Sequence, residues 1–251
     1  MSQDQPVPQP TDVEARTEVL VLLWPDSFGV RVLPASTGVA GLGRQMLQDD
    51  LMTIPGRPGR VHSKSVAAHM FAVVLLTLHD LGLIALRSET KKTLFIKKTR
   101  VAATRADGNG NTRGLAASLL VTFKPGDSSL MVRDIVRRWF GEQTLVPSWH
   151  IISATEREAE SLGLYRKVAG SNVASRATKR VAQTIAGGSF TYEPLAEPVA
   201  STEEVATRMA NRWRQFGSDD PELKERLLKD VEGAIESMEM PEAPEPPDNS
   251  N

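Results

Sequence analysis

The sequence predicts a mainly α-helical fold with short β-hairpins, made of winged-helix-like helix-and-hairpin units and closed by a C-terminal αα-hairpin. Three observations carry this expectation. The first is a pattern that occurs twice, an apolar helix running into Leu-Gly-Leu and then a strand. Met70 to Asp80 leads into Leu81-Gly82-Leu83-Ile84, and Ile151 to Ser161 leads into Leu162-Gly163-Leu164-Tyr165. Glycine is the usual residue at the left-handed position that ends a helix, and the apolar residue after it packs back over the last turn. The second is Leu130 to Phe140. Met131, Val132, Ile135, Val136 and Trp139 share one helical face there, and Arg133, Asp134, Arg137 and Arg138 share the other. The third is residues 201–238. Ser201-x-x-Glu204 reads as a capping box, Val205, Met209, Trp213 and Phe216 form a stripe, and Asp220-Pro221 opens a second helix striped by Leu223, Leu227, Leu228, Val231 and Ile235. Such an αα-hairpin docks on the body or on a partner.

The remaining elements follow in order. Residues 1–15 and 239–251 are polar and Pro-rich, and read as disordered tails around a body over 16–200. Glu18 to Trp24 and Val30 to Leu33 read as two strands around the turn Pro25-Asp26-Ser27-Phe28-Gly29. Thr37 to Leu51 reads as a helix, and Ile54 to Arg60 as a loop. Ser63 or Ser65 is a candidate cap for a helix over Val66 to Leu81 that is apolar nearly all round, hence central. Leu83 to Leu86 and Thr93 to Val101 read as strands joined by the charged turn Ser88 to Lys92. Residues 105–113 read as a loop, Leu115 to Phe123 and Pro147 to Ser161 as helices, and Thr178 to Ile185 as an ambiguous helix.

Composition removes several function classes. The chain of 251 residues has no cysteine, which excludes a disulfide framework, a thiolate zinc site and a cysteine nucleophile, and suits a reducing cytoplasm. Met70 to Leu78, the longest apolar run, is far short of the roughly 20 residues of a membrane span. No signal peptide is visible. Net charge is −1, but it is segregated: −3 over residues 1–18, −7 over 201–251, and therefore +9 over 19–200. A basic body suggests an anionic partner. The bland alternative is an acidic tail folded over the basic face.

No motif points to catalysis. His62, His69, His79 and His150 lack metal-ligand spacing, and His69 and His79 read as satisfied core or edge histidines. Gly38-Val39-Ala40-Gly41-Leu42-Gly43 is not a phosphate loop, since no Lys-Ser/Thr follows. There is no G-x-S-x-G and no paired carboxylates in an apolar setting. The expectation is a protein without enzymatic activity, metal or cofactor.

The basic residues are the informative ones. Lys91, Lys92, Lys97, Lys98, Arg100 and Arg105 fall on the first hairpin and its exit, with Lys97 and Lys98 on opposite sheet faces. Arg133 and Arg137 are one turn apart on the side expected to be exposed, and Arg138 lies beside them, partly paired with Asp134. Arg176, Lys179 and Arg180 form a third group. Such groups suit phosphates of lipid or DNA, while ordinary solvation is the competing explanation. No aromatic residue interleaves them, so stacking on single strands lacks its platform.

The order of segments resembles the Golgi phosphoprotein family in its actinobacterial-type members. The resemblance covers about residues 18–168. It rests on Glu18-Val19-Leu20-Val21-Leu22 with Pro25 to Gly29, on the apolar helix and Gly turn of His69 to Ile84, and on Lys97-Lys98-Thr99-Arg100-Val101. It continues through Val132 to Glu142 and the Gly-Leu turn of Glu156 to Tyr165. The resemblance implies a mostly helical, non-enzymatic peripheral protein that binds phosphoinositide headgroups through an early Trp and several Arg, with Arg44 standing for one of them. The leading expectation is a cytoplasmic adaptor docking on anionic lipid through Arg44, Lys97, Lys98, Arg100, Arg133, Arg137 and Arg138. A tandem winged-helix reader of duplex DNA comes second, although Glu156, Glu158 and Glu160 beside Arg157 suit a major groove poorly. A protein scaffold built on the C-terminal helices comes third.

Overall fold

The computed structural model describes residues 13–14, 16–34, 51–93, 96–106, 112–124, 127, 129–141, 146–169 and 190–239, with the backbone alone described at 91–93, 96–98, 169 and 190–191. Residues 1–12 and 240–251 of the tails expected at 1–15 and 239–251, Thr37 to Asp50 of the helix expected over Thr37 to Leu51, the glycine run 38–43, the expected helix Thr178 to Ile185, and Arg176, Lys179 and Arg180 all lie outside the described residues. Val13 and Glu14, expected in the first tail, are helical with Val13 buried, and Glu239, expected in the second, closes the last helix.

The chain is mainly helical with antiparallel strand pairs. In order come α1 (Thr17–Leu23), a 3₁₀ turn (Pro25–Phe28), β1 (Leu51–Thr53), β2 (Arg60–His62), α2 (Ser63–Asp80), β3 (Ile84–Thr93), β4 (Ile96–Arg105) and α3 (Gly114–Val121). Then come β5 (Leu130–Met131), α4 (Val132–Phe140), α5 (Pro147–Ser161), β6 (Tyr165–Ala169), β7 (Phe190–Pro194), α6 (Ala196–Ala200), α7 (Glu203–Asp219) and α8 (Pro221–Glu239). Among the described residues the strands form three antiparallel sheets, β1-β2, β3-β4-β5 and β6-β7.

Both Leu-Gly-Leu segments end a helix as expected, and in the same way. At the end of α2 the Leu83 N–H bonds the Leu78 carbonyl and the Gly82 N–H bonds that of His79, with Gly82 at φ +67°. At the end of α5 the Leu164 N–H bonds the Ala159 carbonyl and the Gly163 N–H that of Glu160, with Gly163 at φ +71°. These are Schellman closures, and each feeds the first strand of a hairpin. Replacing either glycine by Val, in urea unfolding, is expected to cost more than about 1 kcal/mol, because a β-branched residue resists positive φ.

Several elements differ from the sequence reading. Glu18 to Leu23 belongs to a helix, not a strand, and Pro25–Phe28 is a 3₁₀ turn; only Leu33 makes a β-bridge, with Arg60. All seven residues of α1 are buried, so its apolar run shows no period that separates helix from strand. Leu51, the last residue of the helix expected from Thr37, lies in β1, and Ile54 to Gly59 of the loop expected over Ile54 to Arg60 is the turn of the β1-β2 pair, with Arg60 already in β2. Helix α2 starts three residues early, after His62, without a side-chain cap. Likewise Thr202, not Ser201, precedes α7, and the Ser201 hydroxyl bonds the Pro198 carbonyl behind it. That is the end of α6, a short helix the sequence reading lacked. Helix α7 also runs on through Gly217-Ser218-Asp219. The Asp-Pro signal holds: the Leu223 N–H donates to Asp220 Oδ1 at 2.9 Å, capping α8.

The αα-hairpin docks on its own body. Val205, Met209, Trp213, Leu227, Val231 and Ile235 join one core with α1, α2, α4 and α5. Trp213 Nε1–H donates to the Phe28 carbonyl at 2.9 Å, and Trp24 Nε1–H donates to Thr202 Oγ1 at 2.9 Å, so two indoles tie the segment after α1 to α7 and the residue before it. Lys224 sits 4.3 Å over the Trp213 ring.

Candidate functional site

Strands β3 and β4 are ten residues each, a ribbon of about 30 Å. The charged stretch Ser88 to Lys92, expected as a turn, is strand. Lysines and glutamate in sequence look like a turn, but here they fill the outer half of a ladder that runs to Thr93↔Ile96. The inner half rests on the core through Ile84, Leu86, Val101 and Ala103. The register sets Lys91 opposite Lys98 and Lys92 opposite Lys97 at the outer end, and Glu89 opposite Arg100 two rungs further in, beyond Thr90 and Thr99.

The edge of β4 is covered by α8. The Ala106 N–H bonds the Leu83 carbonyl, and alternation from that pair turns the N–H and C=O of Thr99 and Val101 away from β3. β5 pairs only with Ala102 and Ala103. Beyond it, Asp230 Oδ2 accepts the Val101 N–H at 2.7 Å, and Arg226 Nη1 donates to the Thr99 carbonyl at 3.5 Å. The helix thus stands where another strand would lie, closing an edge that would otherwise be open to pairing.

This closure reassigns the arginines of α4. Arg133 was expected on a free surface, but its Nε donates to Asp230 Oδ1 at 3.2 Å and its guanidinium lies against Gly233, where any Cβ would collide with it. Arg137 Nη2 donates to the Ser237 hydroxyl at 2.9 Å. Arg138 pairs with Asp127 at 2.6 Å and the Thr122 carbonyl at 3.2 Å, not with Asp134. The Arg138 guanidinium holds the Asp127 carboxyl below its usual range. One side of α4 is apolar as expected; on the other, Arg133 is half-buried against α8, while Arg137 and Arg138 are exposed as expected and bond Ser237 and Asp127 from there. Of the other candidates, Lys97, Lys98 and Arg100 lie on β4, and Arg44 is outside the described residues. The structure therefore places Lys97, Lys98 and Arg100 on one strand of the ribbon, and Arg133, Arg137 and Arg138 on α4.

The histidines on the central helix have partners. His69 Nδ1–H donates to the Ser65 carbonyl at 2.8 Å, and His79 Nδ1–H to that of Ile84 at 3.2 Å. Burial pushes the His69 pKa down. Among the described residues no group of three acids or histidines is placed to hold a metal, and no helix is long and apolar enough to cross a membrane. A cleft of about 290 Å³ between the start of α2 and α8 is lined by His62, Lys64, Ser65, Glu232, Ile235 and Glu236.

Sequence reasoning missed Asp230 and Arg226, yet a signal for the first was present. Asp230 lies three residues after Leu227 and four before Ala234, within the stripe that α8 buries. A carboxylate on a buried stripe requires a partner. Compared with known proteins, the chain matches no family model, no curated protein and no solved structure.

Proposed function

We propose that this protein is a non-enzymatic binding module that docks on an anionic membrane surface through the outer end of the β3-β4 ribbon. The observation that carries this reading is the pairing of Lys91 with Lys98 and of Lys92 with Lys97. Like charges directly opposite one another weaken a ladder. Folding gains nothing from four of them on adjacent rungs, whereas an anionic partner does.

The residues at this end favour a bilayer over a nucleic acid. The sequence runs Lys91-Lys92-Thr93-Leu94-Phe95-Ile96-Lys97-Lys98, apolar residues bracketed by two lysine pairs. Lysine stems lie along apolar surface while their ammonium groups stay at the headgroups, and anionic leaflets attract basic segments. A phosphate backbone offers Leu and Phe no comparable environment. The resemblance to the Golgi phosphoprotein family points to the same kind of partner, with a phosphoinositide as the headgroup and a peripheral place at the cytoplasmic face. The second reading, duplex DNA, has its own support: α2 with β3-β4 and α5 with β6-β7 repeat one helix-and-hairpin plan. Against it stand the three glutamates of α5.

Co-sedimentation with vesicles of phosphatidylcholine alone and with added phosphatidylserine, beside a duplex-DNA mobility shift, at low and near-physiological salt, tests the reading. Binding to the anionic vesicles only, weakening as salt screens charge beyond about 8–10 Å, is expected. A shift of DNA without vesicle binding moves the assignment to the DNA reader. Binding to neither leaves the ribbon an ordinary solvated surface. A phosphoinositide at matched surface charge separates headgroup recognition from charge alone.

A further inference from the structure

A different part of the molecule carries an inference of its own. Glu18, in α1, is 2% exposed. Its Oε1 accepts the Leu115 N–H at 2.8 Å, so a carboxyl from one helix caps the start of another, α3. Its Oε2 is buried and has no partner among the described residues. The capping contact is close-fitting. Gly114 sits at φ +57°, and a Cβ there would collide with Glu18 Oε1. The adjoining Thr17 hydroxyl is taken up by Thr77 of α2, at 3.2 Å. The charged groups that face the carboxyl are Arg16, just ahead of α1, and Glu158 of α5, and these two are ion-paired with each other. From α3 it meets a backbone N–H and a glycine. The surroundings thus hold one cation already committed to another acid, and one bare oxygen in an apolar core.

We propose that Glu18 is a proton-sensitive latch between α1 and α3, tight while its carboxyl is neutral and looser once it ionises. A neutral carboxyl still accepts the Leu115 N–H through its carbonyl oxygen. An ionised one leaves a negative charge on the unpartnered Oε2, beside Glu158, in a site without water access. The contact matters beyond α1, because Arg105 at the end of β4 donates to the Leu120 carbonyl of α3 at 2.7 Å. How firmly α3 sits therefore bears on how the foot of the ribbon is held.

The direction follows from linkage. Burial pushes the Glu18 carboxyl from 4.5 up to about 7 in the folded chain. Between those two values the closed contact keeps the proton and the open one loses it. Opening becomes about tenfold easier per pH unit across that window, and levels off above it.

Amide hydrogen exchange of Leu115, Leu119 and Leu120 from pH 5 to 8, corrected for the intrinsic rate, reads the opening directly. The wild-type opening constant is expected to climb about tenfold per unit up to about pH 7. In Glu18→Gln, which keeps an acceptor for Leu115 but does not titrate, it is expected to stay flat, with Val231 and Ala234 of α8 as internal references. A flat wild type, or equal slopes in both proteins, overturns the proposal. Should the variant not fold, the carboxyl carbon shift of labelled Glu18 in the wild type decides. A midpoint near the folded value supports the latch, and a midpoint in the ordinary carboxylate range overturns it.

Discussion

Asp230→Ala is expected to destabilise the chain by about 3 kcal/mol, the largest loss of any single substitution at the ribbon. Asp230 is 7% exposed and holds two groups at once, the Val101 N–H at 2.7 Å and Arg133 Nε at 3.2 Å. Removing the carboxylate leaves an edge N–H without a partner and a guanidinium, 27% exposed, without its counter-charge. Both are costs of desolvated groups left unpaired, and they add to the lost bond itself. At roughly 2–4 °C per kcal/mol for a chain of this size, calorimetry is expected to show a melting point lower by about 6–12 °C. Asp230→Asn separates the two parts, since the amide oxygen still accepts from Val101 while the charge on Arg133 goes uncompensated. Its loss is expected to be intermediate. Equal stability of Asp230→Ala and the wild type would show that α8 does not close the β4 edge in solution.

The second large effect concerns binding. Replacing Lys91, Lys92, Lys97 and Lys98 together by Gln is expected to weaken partition onto phosphatidylserine vesicles by hundreds-fold to about a thousandfold, from about 1 kcal/mol per lysine near an anionic surface. The same variant is expected to melt slightly higher, because two like-charge rungs, Lys91↔Lys98 and Lys92↔Lys97, are relieved. Weaker binding with greater stability is a signature that a merely damaged protein does not give. Arg166→Gln is the matching control. Arg166 is paired with Glu193 at 2.9 Å on the β6-β7 pair, on another sheet, and its loss is expected to leave vesicle binding unchanged. A quadruple variant that binds as well as the wild type would remove the ribbon from the site.

What could be read in the sequence follows from which signals are local. The ends of α2 and α5 were legible because a left-handed glycine is a local demand of the backbone, met at Gly82 and Gly163. The start of α8 was legible for the same reason, through Asp220-Pro221. Helix α1 was not, because its identity comes from being enclosed on all sides, and an apolar run of seven residues reads equally well as a strand. The ribbon's length was hidden because Ser88 to Lys92 is a run of polar and charged residues, so no apolar alternation marks it as strand. Among the candidate site residues, charge alone marked Lys97, Lys98, Arg133 and Arg137 alike, and could not show that the two arginines bond a later helix. Those bonds depend on α8, which follows about 90 residues after α4 in the chain and supplies Asp230 and Ser237.

The helix beside the ribbon also limits how this hairpin can change length. Asp230 and Arg226 are four residues apart, about 6 Å along a helix, and Val101 and Thr99 are two residues apart, about 6.8 Å along a strand. The two spacings match only in one alignment. A single residue inserted between Val101 and the foot of β4 would turn both backbone groups toward β3 and strand both side chains of α8. Residues added in opposed pairs beyond Lys98, on both strands, disturb neither bond. The ribbon is thus an arm whose root is keyed in place and whose reach is free to vary, so that longer or shorter arms are open to variation without rebuilding the body that carries them.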